Sequence, residues 1–230
     1  ACEKPLFYRL VNGCLQFASE LKSLLANPDN PRRIDADGLD CYLSMGYVPG
    51  NRCILKGYNK LPPAHFLRFD IRSCKGEICR YWKLPEFNNE KEQLDEAALM
   101  NELEVLLESS VSRQMVADVP VGILLSGGVD SSLVTAMAVR SSSKVKTFTV
   151  GFPDYDKLDE TKHARLISQY FGTQHTELMA NDIKLELFPR LAYHFDEPVV
   201  DSSMIPTFLV SQLVREHCKV ALGGDGGDEL

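Results

Sequence analysis

No two cysteines stand in a Cys-x-x-Cys pair, so the usual spacing of a zinc knuckle or a thiol–disulfide centre is missing. The seven cysteines (Cys2, Cys14, Cys41, Cys53, Cys74, Cys79, Cys218) are odd in number and scattered, which argues against a disulfide framework. Reduced, mostly buried thiols in a cytoplasmic protein are the expectation, with Cys74 and Cys79 able to face each other across a hairpin. No apolar run reaches the ~18 residues of a membrane-spanning helix, and residues 1–20 carry no charged-then-apolar signal segment. Neither a Walker GxxxxGK[ST] nor a dinucleotide GxGxxG is present, and no internal repeat or low-complexity tract is visible. Positive charge is scarce where it would matter for nucleic acid. Residues 93–230 hold 11 Lys and Arg against 21 Asp and Glu, whereas residues 1–92 hold 14 against 11. An acidic half of this kind argues against duplex nucleic acid as a partner, though not against a nucleotide bridged by a divalent cation.

What is there is an ordinary globular composition: 230 residues, 44% hydrophobic and 25% charged. The charge asymmetry suggests two units with different tasks. Residues 1–92 read as β-rich with short helices. Asn12-Gly13 between Leu6–Leu10 and Cys14–Phe17 marks a tight hairpin, a short helix is expected near 19–25, and another over 36–43 with Asp35 as its N-cap. Strands follow at 65–71 and 77–82, and the polar stretch 84–93 is the expected linker. Beyond it, Leu99, Leu103, Leu106, Leu107, Val111 and Met115 fall on one face of a long helix, and Val121–Leu125 reads as a strand buried on both faces. Helices and strands then alternate as far as Cys218–Leu222, the pattern of a parallel sheet covered by helices. The chain begins at Ala1 and ends at Leu230 with no polar tail, and both ends read as cut.

The sharpest motif is Leu124-Leu125-Ser126-Gly127-Gly128-Val129-Asp130-Ser131-Ser132, between the buried strand and a helix. Two glycines let backbone N–H groups converge, the helix adds its positive end, and the serines add hydroxyl donors. Asp130 would repel bare phosphate, so its presence implies a Mg²⁺ bridge. SGGVDSS after an apolar strand resembles the PP-loop of N-type ATP pyrophosphatases, which cleave ATP between the α and β phosphates and adenylate a substrate. A second cluster, Gly223-Gly224-Asp225-Gly226-Gly227-Asp228-Glu229, follows an apolar strand, at the sheet end where ligands bind in open α/β folds. Asp130 and Asp228 together would make a site of oxygen ligands for Mg²⁺. Two lesser features read as structural. His175 and Glu177 share a strand face, as a pair rather than metal ligands, and Asp159 among Asp154, Asp156 and Asp159 reads as a helix cap rather than part of a calcium loop.

Taken together these stretches resemble the glutamine-hydrolysing asparagine synthetase family. The resemblance runs through Thr149-Val150-Gly151, Gly172-Thr173-Gln174-His175-Thr176-Glu177, Glu197-Pro198, Asp201-Ser202-Ser203, Pro206 and the terminal Asp-Gly-Gly-Asp-Glu. It implies that Leu124, Val150, Gly223 and Gly224 hold the adenosine part of ATP. Ser126, Gly127, Gly128 and Ser131 would hold pyrophosphate, and Asp130 and Asp228 Mg²⁺. Asp225 falls where many members have a glutamate associated with the acyl-adenylate, and is expected to be catalytic; Gly223 replaces a usual serine. Asp201, Ser202 and Ser203 are the expected aspartate contacts. Residues 3–22 and 45–82 resemble the later part of a class II glutamine amidotransferase domain, whose cysteine nucleophile lies upstream in that family; Cys2, followed by Glu-Lys and not Gly-Ile, does not match it.

The expectation is therefore an α/β chain. A parallel-sheet PP-loop domain over 93–230 is preceded, over 1–92, by the C-terminal part of an N-terminal-nucleophile α+β sandwich. The implied activity is ATP-dependent amidation of aspartate to asparagine through β-aspartyl-AMP. AMP and pyrophosphate are released, and ammonia comes from glutamine hydrolysis. The implied ligands are small molecules (ATP, Mg²⁺, aspartate, ammonia), with no nucleic acid or membrane partner; a homodimer is compatible with the resemblance. Two alternatives stay open: an amide-forming relative acting on another carboxylate, such as a β-lactam synthetase, lasso-peptide cyclase or polysaccharide-linked amidotransferase, and a non-catalytic nucleotide-binding protein.

Overall fold

A computed structural model of the chain describes residues 4–85, 95–151, 160–180 and 185–227. The chain divides into two compact units, one formed by Ala1–Asn88 with Lys184–Met204 and the other by Asn89–Ile183 with Ile205–Leu230.

In the first unit, β1 (Phe7–Val11) and β2 (Cys14–Ala18) pair antiparallel around Asn12-Gly13. Both turn residues take positive φ, 48° and 73°, the conformation that matches the twist of a two-residue hairpin. β1 also pairs with β3 (Asn59–Lys60), giving the order β2-β1-β3. Helix α1 spans Leu21–Leu25, and α2 spans Ala36–Met45. The Asp35 side chain caps α2 by accepting the Gly38 N–H at 2.9 Å, and Gly46 ends it at φ 80°. Phe7, Leu21, Leu24, Val48, Cys53, Ile54 and Tyr58 form the core here. Asn30 is buried among polar partners: its Nδ2 donates to the Leu24 carbonyl and Gln16 Oε1, and its Oδ1 accepts from Arg9.

A separate hairpin joins β4 (His65–Asp70) to β5 (Lys75–Arg80). Its register corrects one expectation. Cys79 lies opposite Phe66, and Cys74 sits in the turn at φ 55°, so the two thiols do not face each other. Helix α6 (Leu187–Phe195) belongs to this unit, although its sequence follows the linker.

In the second unit, Asp95 caps α3 (Glu96–Gln114) by accepting the Ala97 N–H. Only Val111 of the predicted apolar face is buried; Leu99, Leu103 and Leu106 are 44%, 49% and 60% exposed. Helical spacing aligned these side chains on one face, but the described neighbours of that face cover only its C-terminal end, where Leu107, Val111 and Met115 pack.

Four parallel strands follow: β6 (Val121–Leu124), β7 (Lys146–Gly151), β8 (Gln174–Met179) and β9 (Val220–Leu222), in the order β8-β7-β6-β9. Helices α4 (Val129–Ser141) and α5 (Thr161–Phe171) connect successive strands on one side of β6. Helix α7 (Met204–Arg215) precedes β9, which pairs on the other side. The sheet order thus reverses at β6, and in open parallel sheets the crevice at such a reversal, beyond the strands' carboxyl ends, is where ligands bind. Ile123, fully buried, centres the core with Val111, Met137, Ala138 and Val145. Beside it Phe148, Val214 and Cys218 close around Gly122, where a Cβ would stand 2.6 Å from the Phe148 ring and 2.8 Å from the Cys218 sulfur.

Candidate functional site

A cavity of about 620 Å³ opens at the carboxyl end of β6, within the common range for small-molecule sites. Three segments of the second unit line it: the loop after β6 (Leu124, Ser126, Gly128, Asp130, Ser131), the end of β7 (Thr149, Val150) and the loop after β9 (Gly223, Gly224, Asp225). Residues some hundred positions apart are thereby brought together. Their proximity is close: a Cβ on Gly224 would lie 2.8 Å from the Ser131 nitrogen, and one on Gly227 2.5 Å from Asp130 Cγ. The second glycine cluster is glycine-rich because it lies directly on the first loop.

The first loop is shaped by its own hydroxyls. Ser131 Oγ donates to the Gly128 carbonyl at 3.3 Å and receives the Ser126 N–H at 3.3 Å. That leaves the Ser126 hydroxyl to donate to Ser131 Oγ (2.9 Å) while accepting the Gly128 N–H (3.2 Å). Ser132 Oγ donates to the same Gly128 carbonyl at 2.7 Å. The serines expected as phosphate donors are therefore spent, at least in part, on holding the loop. No side chain caps α4, whose N-cap is Gly128. Its first N–H groups have no intrahelical acceptor, and the helix dipole adds positive potential at the same place. This arrangement suits an anion.

Among the described residues expected to hold ATP and its pyrophosphate, Gly127 is the exception. It does not line the cavity but turns away at φ 87°, with its Cα against α5: a Cβ would meet His163 Cβ at 2.6 Å and the Ala164 nitrogen at 2.7 Å. Asp201–Ser203 lie in the first unit as an exposed turn ahead of α7, where Asp201 accepts the Ser203 N–H at 2.8 Å and its carboxyl is held below the usual range by that bond. Asp228 lies outside the described residues, as do Cys2, Asp154, Asp156, Asp159 and most of the 84–93 linker. Phe148, Glu160 and Val210 line the cavity too, as does Thr149, whose hydroxyl donates to the Leu125 carbonyl. Thr149 entered the sequence reading only within Thr149-Val150-Gly151, and Phe148, Glu160 and Val210 carry no motif of their own; the carboxyl-end position of Thr149 and the start of α5 at Glu160 are signals of place that could have marked those two.

His175 and Glu177 lie side by side, His175 Nε2 3.8 Å from Glu177 Oε1, and each has a closer partner of its own. Glu177 takes a two-pronged ion pair from Arg165, both contacts 2.8 Å, while His175 Nδ1 bonds Thr147 Oγ1 at 3.0 Å. Burial lowers the His175 pKa, favouring the neutral ring. Among the described residues no three His, Cys, Asp or Glu side chains gather as a metal site.

A parallel sheet whose reversal point carries an uncapped, glycine-lined loop and a second, acidic glycine loop defines an open α/β domain consistent with the PP-loop type. The asparagine synthase family model matches residues 102–230, and the glutamine amidotransferase domain model matches residues 1–82. The chain belongs to the asparagine synthase family. It is 35% identical to a putative asparagine synthetase [glutamine-hydrolyzing] 2 of Methanocaldococcus jannaschii, over 99% of this chain and 44% of that protein. Asparagine synthetase [glutamine-hydrolyzing] 1 of Bacillus subtilis is 34% identical over 99% of this chain and 35% of its own length. A putative asparagine synthetase [glutamine-hydrolyzing] of Mycobacterium tuberculosis is 34% identical with the same coverage. The chain thus spans less than half the length of these curated relatives. No described helix is long and apolar enough to cross a membrane.

Proposed function

We propose that this chain carries the ATP-binding part of a glutamine-dependent asparagine synthetase, acting in the cytoplasm. Residues 1–92 would form the end of the glutaminase domain and 93–230 the start of the synthetase domain. The observation that carries the reading is the close meeting of the two glycine clusters at the carboxyl end of β6, where Gly224 and Gly227 abut Ser131 and Asp130. ATP binds with its adenosine part along Leu124, Val150, Gly223 and Gly224. Its pyrophosphate part lies on the N–H groups of the first loop and the uncapped start of α4, with Ser126, Gly128 and Ser131, while Gly127 gives the loop its close seat on α5.

The donor set fits Mg²⁺. Asp130 and Asp225 both reach the cavity, and this ion is commonly held by one or two carboxylates plus substrate phosphates, so a cage of three protein ligands is not required. Asp130, with Asp228, would hold the ion, which supplies neutralisation of the charge gathering on the departing pyrophosphate. The chain's own part is to orient and to stabilise. The aspartate side-chain carboxylate attacks the α-phosphorus, and the bond to the β-phosphate oxygen breaks. The loop N–H groups hold the leaving pyrophosphate in preformed positions, without reorganisation. Ammonia from glutamine hydrolysis then attacks the acyl-adenylate, giving asparagine and AMP. Asp225, on the second loop, would act at the reacting carboxylate.

The test is ATP–pyrophosphate exchange in the full-length protein. Exchange that requires aspartate and is lost in Asp130→Ala supports the reading. Exchange with a different carboxylic acid alone moves the assignment to another amide-forming member, and ATP binding with no exchange for any acid refutes catalysis.

A further inference from the structure

Arg165 and Glu177 do not line the cavity, yet Arg165 adjoins the stretch of helix on which the first glycine loop rests. Gly127 sits so close to α5 that an added Cβ would come 2.7 Å from the Ala164 nitrogen and 2.9 Å from the His163 carbonyl carbon. These are helix backbone atoms, which cannot rotate away to absorb a displacement. Close-packed interiors transmit such shifts, so the loop follows α5. Thr161, a turn earlier on the same helix, stands likewise against Gly151 at the end of β7, where a Cβ would lie 3.0 Å from Thr161 Cγ2.

The placement of α5 is weakly fixed by burial. Its buried residues are Thr161, Ala164 and Ser168, all small. Ile167 and Phe171 are half-buried, and Leu166 and Tyr170 are exposed. Small residues let the helix approach the sheet but remove little apolar area from water. A directional contact fixes it better. Arg165 reaches from α5 to Glu177 on β8, its Nε and Nη2 donating to the two carboxylate oxygens at 2.8 Å each. Such a fork carries a planar geometry as well as energy. Glu177 is a firm anchor, because β8 pairs with β7 along its whole length, with Glu177 level with Thr149 of the cavity wall. Both side chains are partly exposed, 52% for Arg165 and 24% for Glu177, and an ion pair of that kind adds little to overall stability. Its use here is geometric.

We propose that Arg165 and Glu177 are positioning residues for the nucleotide: their ion pair sets where α5 stands on the sheet and, through the backbone contact with Gly127, the affinity of the first glycine loop for ATP. This deepens the ATP-binding reading above and rests on it. Both residues act from outside the cavity. Without the fork α5 gains freedom to slide and roll over β7 and β8, and the loop N–H groups lose their preformed alignment. Binding must then order them, at a cost in affinity.

The experiment is calorimetric titration of ATP, in buffer containing Mg²⁺, into the full-length protein and its variants Arg165→Met, Glu177→Gln and Arg165→Met/Glu177→Gln. The double variant removes both charges and keeps the test open if a single variant does not fold. Arg140→Met is the control. Arg140 is also partly exposed and pairs with Glu104 and Glu108 of α3, but from the last turn of α4, away from the loop. Titration separates affinity from the number of sites, so protein lost to misfolding lowers the second and leaves the first. We expect the Kd for ATP to rise about threefold or more in each single variant and no further in the double, because the two side chains act as one unit. Arg140→Met should stay within about twofold of wild type. A Kd within about twofold of wild type in the Arg165 and Glu177 variants, with or without fewer sites, overturns the inference and leaves the ATP-binding reading intact. So does an equal rise in Arg140→Met, or single effects that add in the double variant. Wild-type protein that binds no ATP overturns the reading itself, and this inference with it.

Discussion

Replacing Gly127 by alanine separates the two reasons a loop can need glycine. At φ 87° an alanine gives up about 1–2 kcal/mol in the left-handed region. Its Cβ would also stand 2.6 Å from His163 Cβ and 2.7 Å from the Ala164 nitrogen, and the nitrogen is helix backbone that cannot rotate away. Overpacking of this kind costs about 1–3 kcal/mol. The two together come to about 2–5 kcal/mol. For a chain of this size each kcal/mol moves the melting temperature by about 2–4 °C, so a fall of about 4–20 °C is expected. The neighbouring Gly128 is the internal control. It sits at φ −69°, and its added Cβ would meet only the Ser126 hydroxyl, at 3.3 Å, so Gly128→Ala should change stability by no more than about 0.5 kcal/mol. Thermal unfolding of both variants beside the wild type, by circular dichroism in one buffer, decides it. A Gly127→Ala variant melting within 2 °C of wild type (roughly the shift from 0.5 kcal/mol), or one more stable than Gly128→Ala, would refute the account of this contact.

Gly122→Ala tests the core rather than the site: its Cβ would press into the Phe148 ring and the Cys218 sulfur, both nearly fully buried, for an expected loss of about 1–3 kcal/mol read by urea unfolding. The double variant Gly122→Ala/Cys218→Ala should recover part of that loss. Burial pushes the Cys53 thiol up to about 12, so it stays protonated at pH 8 and resists alkylation by iodoacetamide, whereas exposed Cys14 reacts. Mass spectrometry of peptides after a timed pulse checks the order, and labelling of Cys53 ahead of Cys14 in folded protein would contradict it.

Local chemistry was readable from the chain wherever a residue acts on its near neighbours. Asn12-Gly13 and the Asp35 cap of α2 appear where the turn and cap residues stand, because each satisfies its backbone within a few positions. The alternating strands and helices after residue 120 were legible for the same reason, since a strand buried on both faces and an amphipathic helix each carry their own period. The facing of Cys74 and Cys79 failed because register depends on where a turn falls, and a tight turn ending at Cys74 shifts the pairing so that Phe66 meets Cys79. The apolar face of α3 was placed on a helix correctly, but burial is a property of what lies opposite, and periodicity is silent on that.

The candidate site divides along the same line. The two glycine clusters could be named from their residues and their place after apolar strands, because phosphate loops need small residues before a helix start wherever the fold places them, while Leu124 and Val150 of the lining were named through the family resemblance. That Gly127 serves α5 rather than the cavity, that Gly224 and Gly227 rest on Ser131 and Asp130, and that Glu197 lies bonded to Ile54 and Lys60 could not be read from spacing. These are contacts between residues tens to more than a hundred positions apart. By itself the sequence determined the element types, the loop chemistry and the family, all set by interactions over a few residues. Only the tertiary structure decided which loops meet, which glycine answers to which neighbour, and that residues 184–204 pack with the first unit, because those outcomes depend on steric fit and burial between distant segments.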